Sequence, residues 1–434
     1  MITTKGYNIK GKKIIEIEEE LTQAILVVIR ESGEEERISE ARLEELDSLV
    51  TTMEGEVVAS LIVPLRTIEP ATLIGSGKID ELQELIDESG ANTIIFDHDL
   101  SPRAQRNLER LLEVAVIDRQ EVILQIFSDR AMTKEAVLQV ALARQEYSLP
   151  RLTRMWSHLS RQRGGMRGTR DAGETQLEID RRIVTNKIAS LKRELKKVEE
   201  QRGIQRKSRR ESFIPTAAIV GYTNAGKSSL LNLLAQSDAF VENRLFATLD
   251  PTTRQIQLPQ GGKLLLSDTV GFVSNLPHQL IDAFKSTLEE ARYSDFLIHV
   301  VDAAHPNMVG AFETTMEVLA SLGCEDKKMV VFINKMDRVY NPQAVEELMA
   351  LFPEAIKGSI KEEQGIDTLL EAIEETTALY YPINRYLFPH SRYDLISLLR
   401  GSGLILSIDY LDEGVKIEAN VPKHLLSRLE EFLI

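Results

Sequence analysis

The sequence predicts a multidomain α/β protein, and three observations support that prediction. Apolar strands alternate with amphipathic helices between residues 57 and 146, as in a parallel sheet with crossover helices. A buried-type strand runs into a glycine-rich loop and a helix after residue 214. Between these regions, residues 174–211 form a long polar stretch with apolar side chains at helical spacing. We therefore expect an N-terminal parallel α/β domain at 1–150, a long helical hairpin at 151–213, a doubly wound α/β domain at 214–375 and a small α+β domain at 376–434.

The composition is typical of a soluble globular protein of the reducing cytosol. The chain has 434 residues, 43% of them hydrophobic, and a formal net charge of −15. Its one cysteine, Cys324, cannot form an intramolecular disulfide and argues against a zinc site of several thiolates. The first residues contain no apolar signal core, and no run approaches the ~20 apolar residues of a membrane span. We expect a cytoplasmic protein without a membrane span, acting as a monomer.

The N-terminal domain shows the strand–helix alternation clearly after residue 57, whereas residues 1–55 have a mixed pattern that assigns no element. Ser101 is suited to cap a helix that begins at Pro102. The stretch GSGK (75–78) has Thr72 where a phosphate loop would need its first glycine, so a helix-capping turn is favoured over a second nucleotide site. The predicted strands are 57–65, 92–96 and 114–118, and the predicted helices are 79–89, 101–113 and 133–146.

Basic residues are concentrated between Arg151 and Glu211. This segment has 18 lysines and arginines against 8 acidic residues, whereas the rest of the chain has 34 against 59, a net −25. Such segregation is typical of a surface that binds a polyanion, and RNA is the polyanion expected in the cytosol. A solvated helix with a basic bias is the alternative.

The stretch 174–211 is expected to be one helix of a hairpin, with its partner at 134–160. Glycines and arginines that begin at residue 163 would then form the tip that joins the two helices. Glycine lets the backbone approach phosphates and arginine donates bidentate hydrogen bonds, so the tip is predicted to contact RNA. A disordered linker is the alternative. The predicted helix seam is Val184, Ile188, Leu191, Leu195 and Val198. The predicted RNA contacts are Arg161, Arg163, Arg167 and Arg170.

A phosphate-binding loop follows the strand IPTAAIV (214–220). The loop reads GYTNAGKSS (221–229) and leads into a helix, which is the context that the pattern G-x-x-x-x-G-K-S requires. Backbone N–H groups and a helix N-terminus must converge on the anionic phosphates, and glycines permit that geometry. Lys227 is expected to place its charge on the β- and γ-phosphates, and Ser228 is expected to offer its hydroxyl to Mg²⁺.

Two further motifs follow in order, each at the end of a predicted strand. KLLLSDTVG (263–271) ends in D-x-x-G, where Asp268 would hold Mg²⁺ through water and the Gly271 N–H would face the γ-phosphate. VVFINKMD (330–337) ends in N-K-x-D, where the Asp337 carboxylate can accept hydrogen bonds from guanine N1–H and its 2-amino group. Adenine lacks this pair of donors. Together the three motifs predict a P-loop GTPase domain.

The remaining contacts with the nucleotide and with Mg²⁺ are predicted from weaker sequence patterns. FATLDPTTR (246–254) lies where a threonine is expected to order around Mg²⁺; Thr252 is our prediction, with Thr253 as the alternative, and either could instead cap a turn. Backbone N–H groups of Ser359 and Ile360 are expected near guanine O6. The predicted nucleotide contacts are Gly221, Tyr222, Thr223, Asn224, Ala225, Gly226, Lys227, Ser228, Ser229, Phe246, Thr248, Asp268, Thr269, Val270, Gly271, Asn334, Lys335, Asp337, Ser359 and Ile360. The predicted Mg²⁺ ligands are Ser228, Thr252 and Asp268.

The residue after D-x-x-G is Phe272, where many GTPases have a glutamine that orients the attacking water. A phenyl ring cannot position water by hydrogen bonding, so slow intrinsic hydrolysis is expected until a partner supplies the missing group or ordering. Alternatively, Phe272 packs beneath the switch and another residue of the chain acts. The predicted catalytic residues are Lys227, Thr252, Gly271 and Phe272.

The chain resembles the HflX family of translation-associated GTPases, within the TrmE–Era-like group, over nearly its whole length. Besides the motifs above, the resemblance rests on GSGKIDEL (75–82), FDHDLSPRAQRNLE (96–109), DRQEVILQIFSDRA (118–131), YSLPRL (147–152), GETQLEIDRR (173–182) and SDTVGFVSNLP (267–277). The C-terminal stretch, about 376–434, contains HSRYDLISLLRGSG (390–403), LILSIDYLDEG (404–414) and VKIEANVPKHLLSRL (415–429). Together these predict a helix, a hairpin and a helix in that order, and they resemble the C-terminal domain of the family.

This resemblance implies binding of GTP and GDP, and binding to ribosomal RNA of the large ribosomal subunit, with splitting or rescue of stalled or hibernating ribosomes under stress. It implies hydrolysis stimulated by the ribosome, with a hydrophobic residue in place of glutamine, and Asn224 matches an asparagine that coordinates K⁺ in related GTPases. Asp171 and Ala172 depart from the family pattern at the tip. The alternatives are a GTP-dependent RNA-binding or ribosome assembly factor and an ATP-dependent RNA remodeller acting through the N-terminal region.

Overall fold

The computed structural model describes residues 22–65, 68–152, 170–211, 214–236, 245–246, 251–273, 288–401, 405–421 and 423–434. The N-terminal part is a parallel four-stranded sheet with strand order β2-β1-β3-β4. Its strands are β1 (Gln23–Arg30), β2 (Glu56–Pro64), β3 (Thr93–Phe96) and β4 (Ala115–Asp118). Its helices are α1 (Glu36–Thr52), α2 (Ser76–Ser89), α3 (Pro102–Leu112) and α4 (Arg119–Arg130).

One of the two inner strands of this sheet lies in the stretch to which the sequence assigned no element. The run QAILVVIR forms β1, six of whose residues are fully buried, because both faces of a parallel sheet are covered by helices. The predicted cap of α3 is present, since the Ser101 hydroxyl accepts the Ala104 N–H and Pro102 occupies the first helical position. Gly75 is the N-terminal cap of α2 with an ordinary φ of −71°, which fits the capping turn expected there.

Two long helices form the predicted hairpin. Helix α5 (Lys134–Leu152) packs against α6 (Arg170–Glu211), which is 42 residues long. The seam is apolar: Leu191 and Leu195 are buried against Leu138, with Val198 packed beside them. Helix α5 continues through Pro150, where the sequence placed a domain boundary, so the hairpin grows directly out of the N-terminal sheet. The tip predicted between the helices lies outside the described residues.

The doubly wound domain contains a six-stranded sheet with strand order β10-β9-β8-β5-β7-β6, parallel except for β6, which pairs antiparallel with β7. Its strands are β5 (Thr216–Val220), β6 (Thr252–Gln257), β7 (Lys263–Asp268), β8 (Phe296–Asp302), β9 (Met329–Asn334) and β10 (Ile356–Lys357). Its helices are α7 (Lys227–Leu234), α8 (Met308–Ser321), α9 (Pro342–Leu351) and α10 (Ile366–Tyr380).

The C-terminal part is a three-stranded antiparallel sheet with strand order β11-β13-β12, as the predicted α+β class requires. One apolar cluster, which includes Tyr386, Phe388 and Leu395, joins the sheet to its helices. The first strand was not predicted. The elements are β11 (Ile383–Phe388), α11 (Tyr393–Gly401), β12 (Ile405–Leu411), β13 (Gly414–Asn420) and α12 (Lys423–Leu429).

One apolar cluster crosses from the N-terminal sheet into the doubly wound domain. Phe127 of α4 and Tyr222, Phe246 and Phe272 of the doubly wound domain all belong to it. Across the described part of the chain, none of the helices has the length and apolar character needed to cross a membrane.

Candidate nucleotide-binding site

The phosphate loop joins the end of β5 to the start of α7, at the carboxyl edge of the parallel sheet where α/β folds bind ligands. Gly221 has φ 146° and Gly226 has φ 103°. A Cβ on Gly221 would lie 2.2 Å from the Val300 carbonyl oxygen, and one on Gly226 would lie 2.4 Å from Asn334 Nδ2. Both positions therefore require glycine for conformation and for space.

Lys227 occupies the first turn of α7, and its side chain is buried within the loop. Its Nζ donates to the Tyr222 carbonyl oxygen at 2.7 Å, which closes the loop over the lysine. Burial, with a smaller contribution from the charge of Lys335, lowers the pKa of Lys227 to about 8 against the opposing charge of Asp268. An anionic phosphate would reverse this effect, because an opposite charge favours the protonated amine.

The predicted metal ligands Ser228 and Asp268 are brought together. The Ser228 Oγ donates to Asp268 Oδ2 at 2.6 Å, and Thr252 is the register partner of Asp268 in the β6–β7 ladder. The hydroxyl of Thr253 instead shares a 2.8 Å hydrogen bond with Ser267, which favours Thr252 over the alternative. A carboxylate and hydroxyls beside a phosphate loop are the hard oxygen donors that Mg²⁺ prefers, so the residues present fit this ion.

The segment after β7 lies directly against the phosphate loop. Phe272 N–H donates to the Gly221 carbonyl at 3.2 Å, and Thr223 N–H donates to the Phe272 carbonyl at 2.7 Å. A Cβ on Gly271 would lie 2.8 Å from the backbone Cα of Thr223, so a glycine is needed here as well. The Phe272 ring is buried in the apolar cluster shared with the N-terminal sheet, which matches the alternative in which it packs beneath the switch.

The other residues predicted to contact the nucleotide differ in how exposed they are. Asn224 is exposed at the turn of the loop with φ 59°, whereas Ala225 is buried and Ser229 is half-buried in the first turn of α7. The side chains of Thr269 and Val270 are buried, and the Thr269 hydroxyl donates to the Ile219 carbonyl at 2.7 Å. Any contact of these two residues with a nucleotide would therefore come from their backbone.

The base-recognition residues meet at the ends of β9 and β10. Asn334 Nδ2 donates to the Ala225 carbonyl at 2.8 Å, which ties the N-K-x-D motif to the phosphate loop. The Ser359 hydroxyl donates to Asp337 Oδ1 at 2.7 Å, and this bond lowers the pKa of Asp337. The carboxylate is thus held ionised, as an acceptor for two N–H donors must be.

The base site contains internal contacts that the sequence did not predict. The Ser359 N–H donates to the Gln364 carbonyl and the Ile360 N–H donates to Asn334 Oδ1, so either N–H can reach guanine O6 only by leaving its present acceptor. Lys335 Nζ lies 2.6 Å from Asp302 Oδ2, at the end of β8. This ion pair positions the lysine stem. Asp302 is a carboxylate at the end of the neighbouring strand, and that placement in the sequence could have indicated the ion pair.

Some predicted site residues cannot be placed. Thr248 and the tip residues Arg161, Arg163 and Arg167 lie outside the described residues, and Arg170 begins α6 without a described side chain. Conversely, Tyr222 and Phe246 make contacts with the N-terminal domain that no local pattern signals, because their partners are more than 100 positions away in the sequence.

Three family models match the chain in sequence order. A model described as "GTP-binding GTPase N-terminal" matches residues 40–128, and one described as "GTP-binding GTPase Middle Region" matches residues 130–209. A third, described as "50S ribosome-binding GTPase", matches residues 216–335. Among solved structures, the GDP complex of a GTP-binding protein from the archaeon Sulfolobus solfataricus is 26% identical and covers 82% of this chain and 98% of its own, with a TM-score of 0.44.

Curated relatives match over nearly the full length. The protein named GTPase HflX from Akkermansia muciniphila is 45% identical, over 97% of this chain and 99% of its own. GTPase HflX from Chlamydia pneumoniae is 41% identical over 96% of this chain and 89% of its own, and the one from Treponema denticola is 50% identical over 78% and 88%. The chain therefore belongs to the HflX family of GTPases, which hydrolyse GTP to GDP and phosphate.

Proposed function

We propose that this protein binds the large ribosomal subunit and couples its GTP cycle to the splitting or rescue of stalled or hibernating ribosomes. The proposal rests on one observation: the same chain contains a guanine-nucleotide site and a long basic helix that packs on α5. The family model described as "50S ribosome-binding GTPase", which covers the nucleotide-binding domain, supports the choice of partner. Its place of action would be the cytoplasm.

The described part of α6 is apolar where it meets α5 and mainly basic where it meets solvent. Leu191 and Leu195 are buried against α5. Among the described side chains of the helix, seven exposed ones are basic, whereas the exposed acidic ones are Glu178, Glu194 and Glu200. The basic ones are Arg181, Arg182, Lys187, Lys192, Arg193, Lys196 and Lys197, of which Lys192 also lies 2.8 Å from Glu146 of α5. This net positive surface is available to a polyanion, and phosphate contacts by lysine and arginine dominate affinity for RNA.

In this proposal each nucleotide contact has a separate task. Lys227 neutralises the phosphates, and the Gly271 N–H faces the γ-phosphate. Ser228, Thr252 and Asp268 would hold the Mg²⁺ that GTPases of this kind use, and the positive charge that it supplies would lie beside the phosphate oxygens. Asp337 selects guanine, while Asn334 braces the loop and Lys335 covers the base. Asn224, exposed at the loop, is the candidate for a K⁺ contact.

Hydrolysis by the isolated protein is expected to be slow. The residue after D-x-x-G is Phe272, whose ring is buried, whereas many GTPases have at this position a glutamine that orients water. A partner must therefore order the attacking water or the switch, and the large subunit is the proposed partner. Equal rates of GTP hydrolysis with and without purified large subunits would contradict this part of the proposal.

A single assay separates splitting from assembly. Intact ribosomes and precursor large subunits are incubated with the protein and a non-hydrolysable GTP analogue, and the products are separated by sedimentation. Conversion of intact ribosomes into subunits supports splitting, whereas selective binding of precursors supports an assembly factor. Activity that needs ATP and survives replacement of Lys227 would favour the RNA remodeller instead.

A further inference from the structure

The N-terminal domain contacts the nucleotide-binding domain at two places, through α1 near the start of α4 and directly at the end of α4. Near its start, Arg119 Nη2 lies 2.9 Å from Glu45 Oε2 of α1, and the other oxygen of Glu45 accepts a 2.6 Å hydrogen bond from the Tyr222 hydroxyl. At its end, Arg130 Nη1 donates to the Phe246 carbonyl at 3.0 Å. Helix α4 thus contacts Phe246 directly and supports the phosphate loop through Glu45 of α1.

The first contact holds the phosphate loop through a buried charge. The side chains of Arg119 and Glu45 are only 3% and 9% exposed. Bulk water therefore cannot take the place of the tyrosine hydroxyl as a hydrogen-bond donor to the carboxylate. Hydrogen bonds to ionised groups are the stronger ones. Tyr222 follows Gly221, and its carbonyl receives the hydrogen bond from Lys227 Nζ. Holding the Tyr222 side chain therefore restrains the residue whose carbonyl receives the lysine.

The second contact holds a strained residue. Phe246 has φ 54°, a left-handed conformation that costs a phenylalanine free energy and persists only when its surroundings enforce it. The Phe246 ring packs edge-on against Phe127 of α4 with the centroids 4.5 Å apart. This packing and the hydrogen bond from Arg130 are the contacts by which the N-terminal domain holds Phe246 in its left-handed conformation.

We propose that Glu45, Arg119 and Arg130 are positioning residues for guanine nucleotide: without touching it, they hold Tyr222 and Phe246 in the conformation that binds it. The N-terminal sheet then raises nucleotide affinity, and this inference does not depend on the ribosome. A contact that only joined two domains would change the melting temperature and leave the nucleotide Kd unchanged.

The test measures the Kd of a fluorescent GDP derivative for the full chain. Tyr222→Phe removes one hydroxyl and keeps the ring and the buried ion pair, and its Kd should rise by about fivefold or more. The pair Glu45→Met/Arg119→Met replaces the ion pair by apolar groups of similar volume, a change that leaves stability close to neutral. Its Kd should rise equally, and the triple variant should show no further rise, because all remove the same interaction. Arg130→Met, which acts through Phe246, should raise the Kd independently.

Glu44→Gln is the matched control, since Glu44 is the exposed neighbour of Glu45 on α1, and its Kd should equal that of the wild type. A Kd within twofold of wild type for Tyr222→Phe overturns the proposal, as do additive effects in the triple variant. Should the Met pair fail to fold, Tyr222→Phe and Arg130→Met decide the question alone, with loss of thermal stability at unchanged Kd counting against it.

Discussion

The Ser228 hydroxyl and the Asp268 carboxylate lie in direct contact, with 2.6 Å between Oγ and Oδ2. The two residues are 40 positions apart in the sequence, and they meet because β5 and β7 are adjacent parallel strands whose carboxyl ends share one edge of the sheet. This contact brings together two of the three side chains proposed to hold Mg²⁺, and Thr252 is paired with Asp268 from β6.

Replacing Asp268 by asparagine is expected to lower the affinity of the GTP-bound protein for Mg²⁺ by about tenfold to 100-fold. This is the range of affinity lost when a group that positions a metal is removed. The amide keeps the shape and still accepts from Ser228, but it removes the charge that attracts the cation. Mg²⁺ titrations of GTP affinity measure the change. Asp326→Asn, at an exposed loop position, should behave as wild type; an equal shift there, or an unchanged Mg²⁺ titration for Asp268→Asn, would remove Asp268 from the metal site.

Asp337→Asn is expected to abolish the preference for guanine while leaving the fold intact. The side-chain amide cannot accept from both guanine N1–H and the 2-amino group, so GDP affinity should fall by about 100-fold or more. Xanthine carries an oxygen at position 2, and the new amide can donate to it, so xanthosine diphosphate should gain affinity. Competition binding with the two diphosphates measures the reversal. Retained guanine preference would show that another group reads the base.

Nucleotide affinity should fall as the pH rises above about 8. Burial lowers the pKa of Lys227 to about 8 in the free protein, and the phosphates of a bound nucleotide raise it again. Above pH 8 the free protein has lost a proton that the complex retains, so binding takes up a proton and weakens with increasing pH. Calorimetry of GDP binding at pH 8.5, in two buffers that differ in ionisation enthalpy, measures this uptake; identical heats in both buffers would contradict it.

Charge reversal at the proposed tip should weaken binding to large ribosomal subunits. Each lost phosphate contact reduces the slope of log affinity against log salt concentration by about one, so Arg167→Glu/Arg170→Glu should flatten the salt dependence and leave GDP affinity unchanged. Sedimentation with subunits at several salt concentrations gives the slope. Arg110→Glu, at an exposed position of α3, is the charge-matched control. A fall in GDP affinity instead would mean that these arginines serve the nucleotide site.

The nucleotide site was largely predictable because its requirements are local. Gly221 and Gly226 must be glycines within a span of six residues, and the carboxylates must follow strands. The same locality explains the success at α3, where Ser101 and Pro102 mark the helix start. The hairpin seam was also readable, since Leu191 and Leu195 recur at helical spacing and are buried.

The unpredicted parts depend on tertiary contacts. Strand β1 is an apolar run beside a charged, mixed segment, and only its inner place in the sheet explains its burial. The bond between Tyr222 and Glu45 spans 177 positions, a separation that no periodicity can reveal. The N–H groups of Ser359 and Ile360 were assigned to guanine by position in a loop, and their internal acceptors, Gln364 and Asn334, became visible only in the folded site.

The length of α6 has a mechanical consequence. A 42-residue helix measures about 63 Å, and some 38 Å of it extends from the packed Leu195 to Arg170. A tilt of about 10° around that small apolar contact would move the far end by roughly 6 to 7 Å. Slight rearrangements near α5 would thus be magnified into displacements of several ångströms at the far end of the helix.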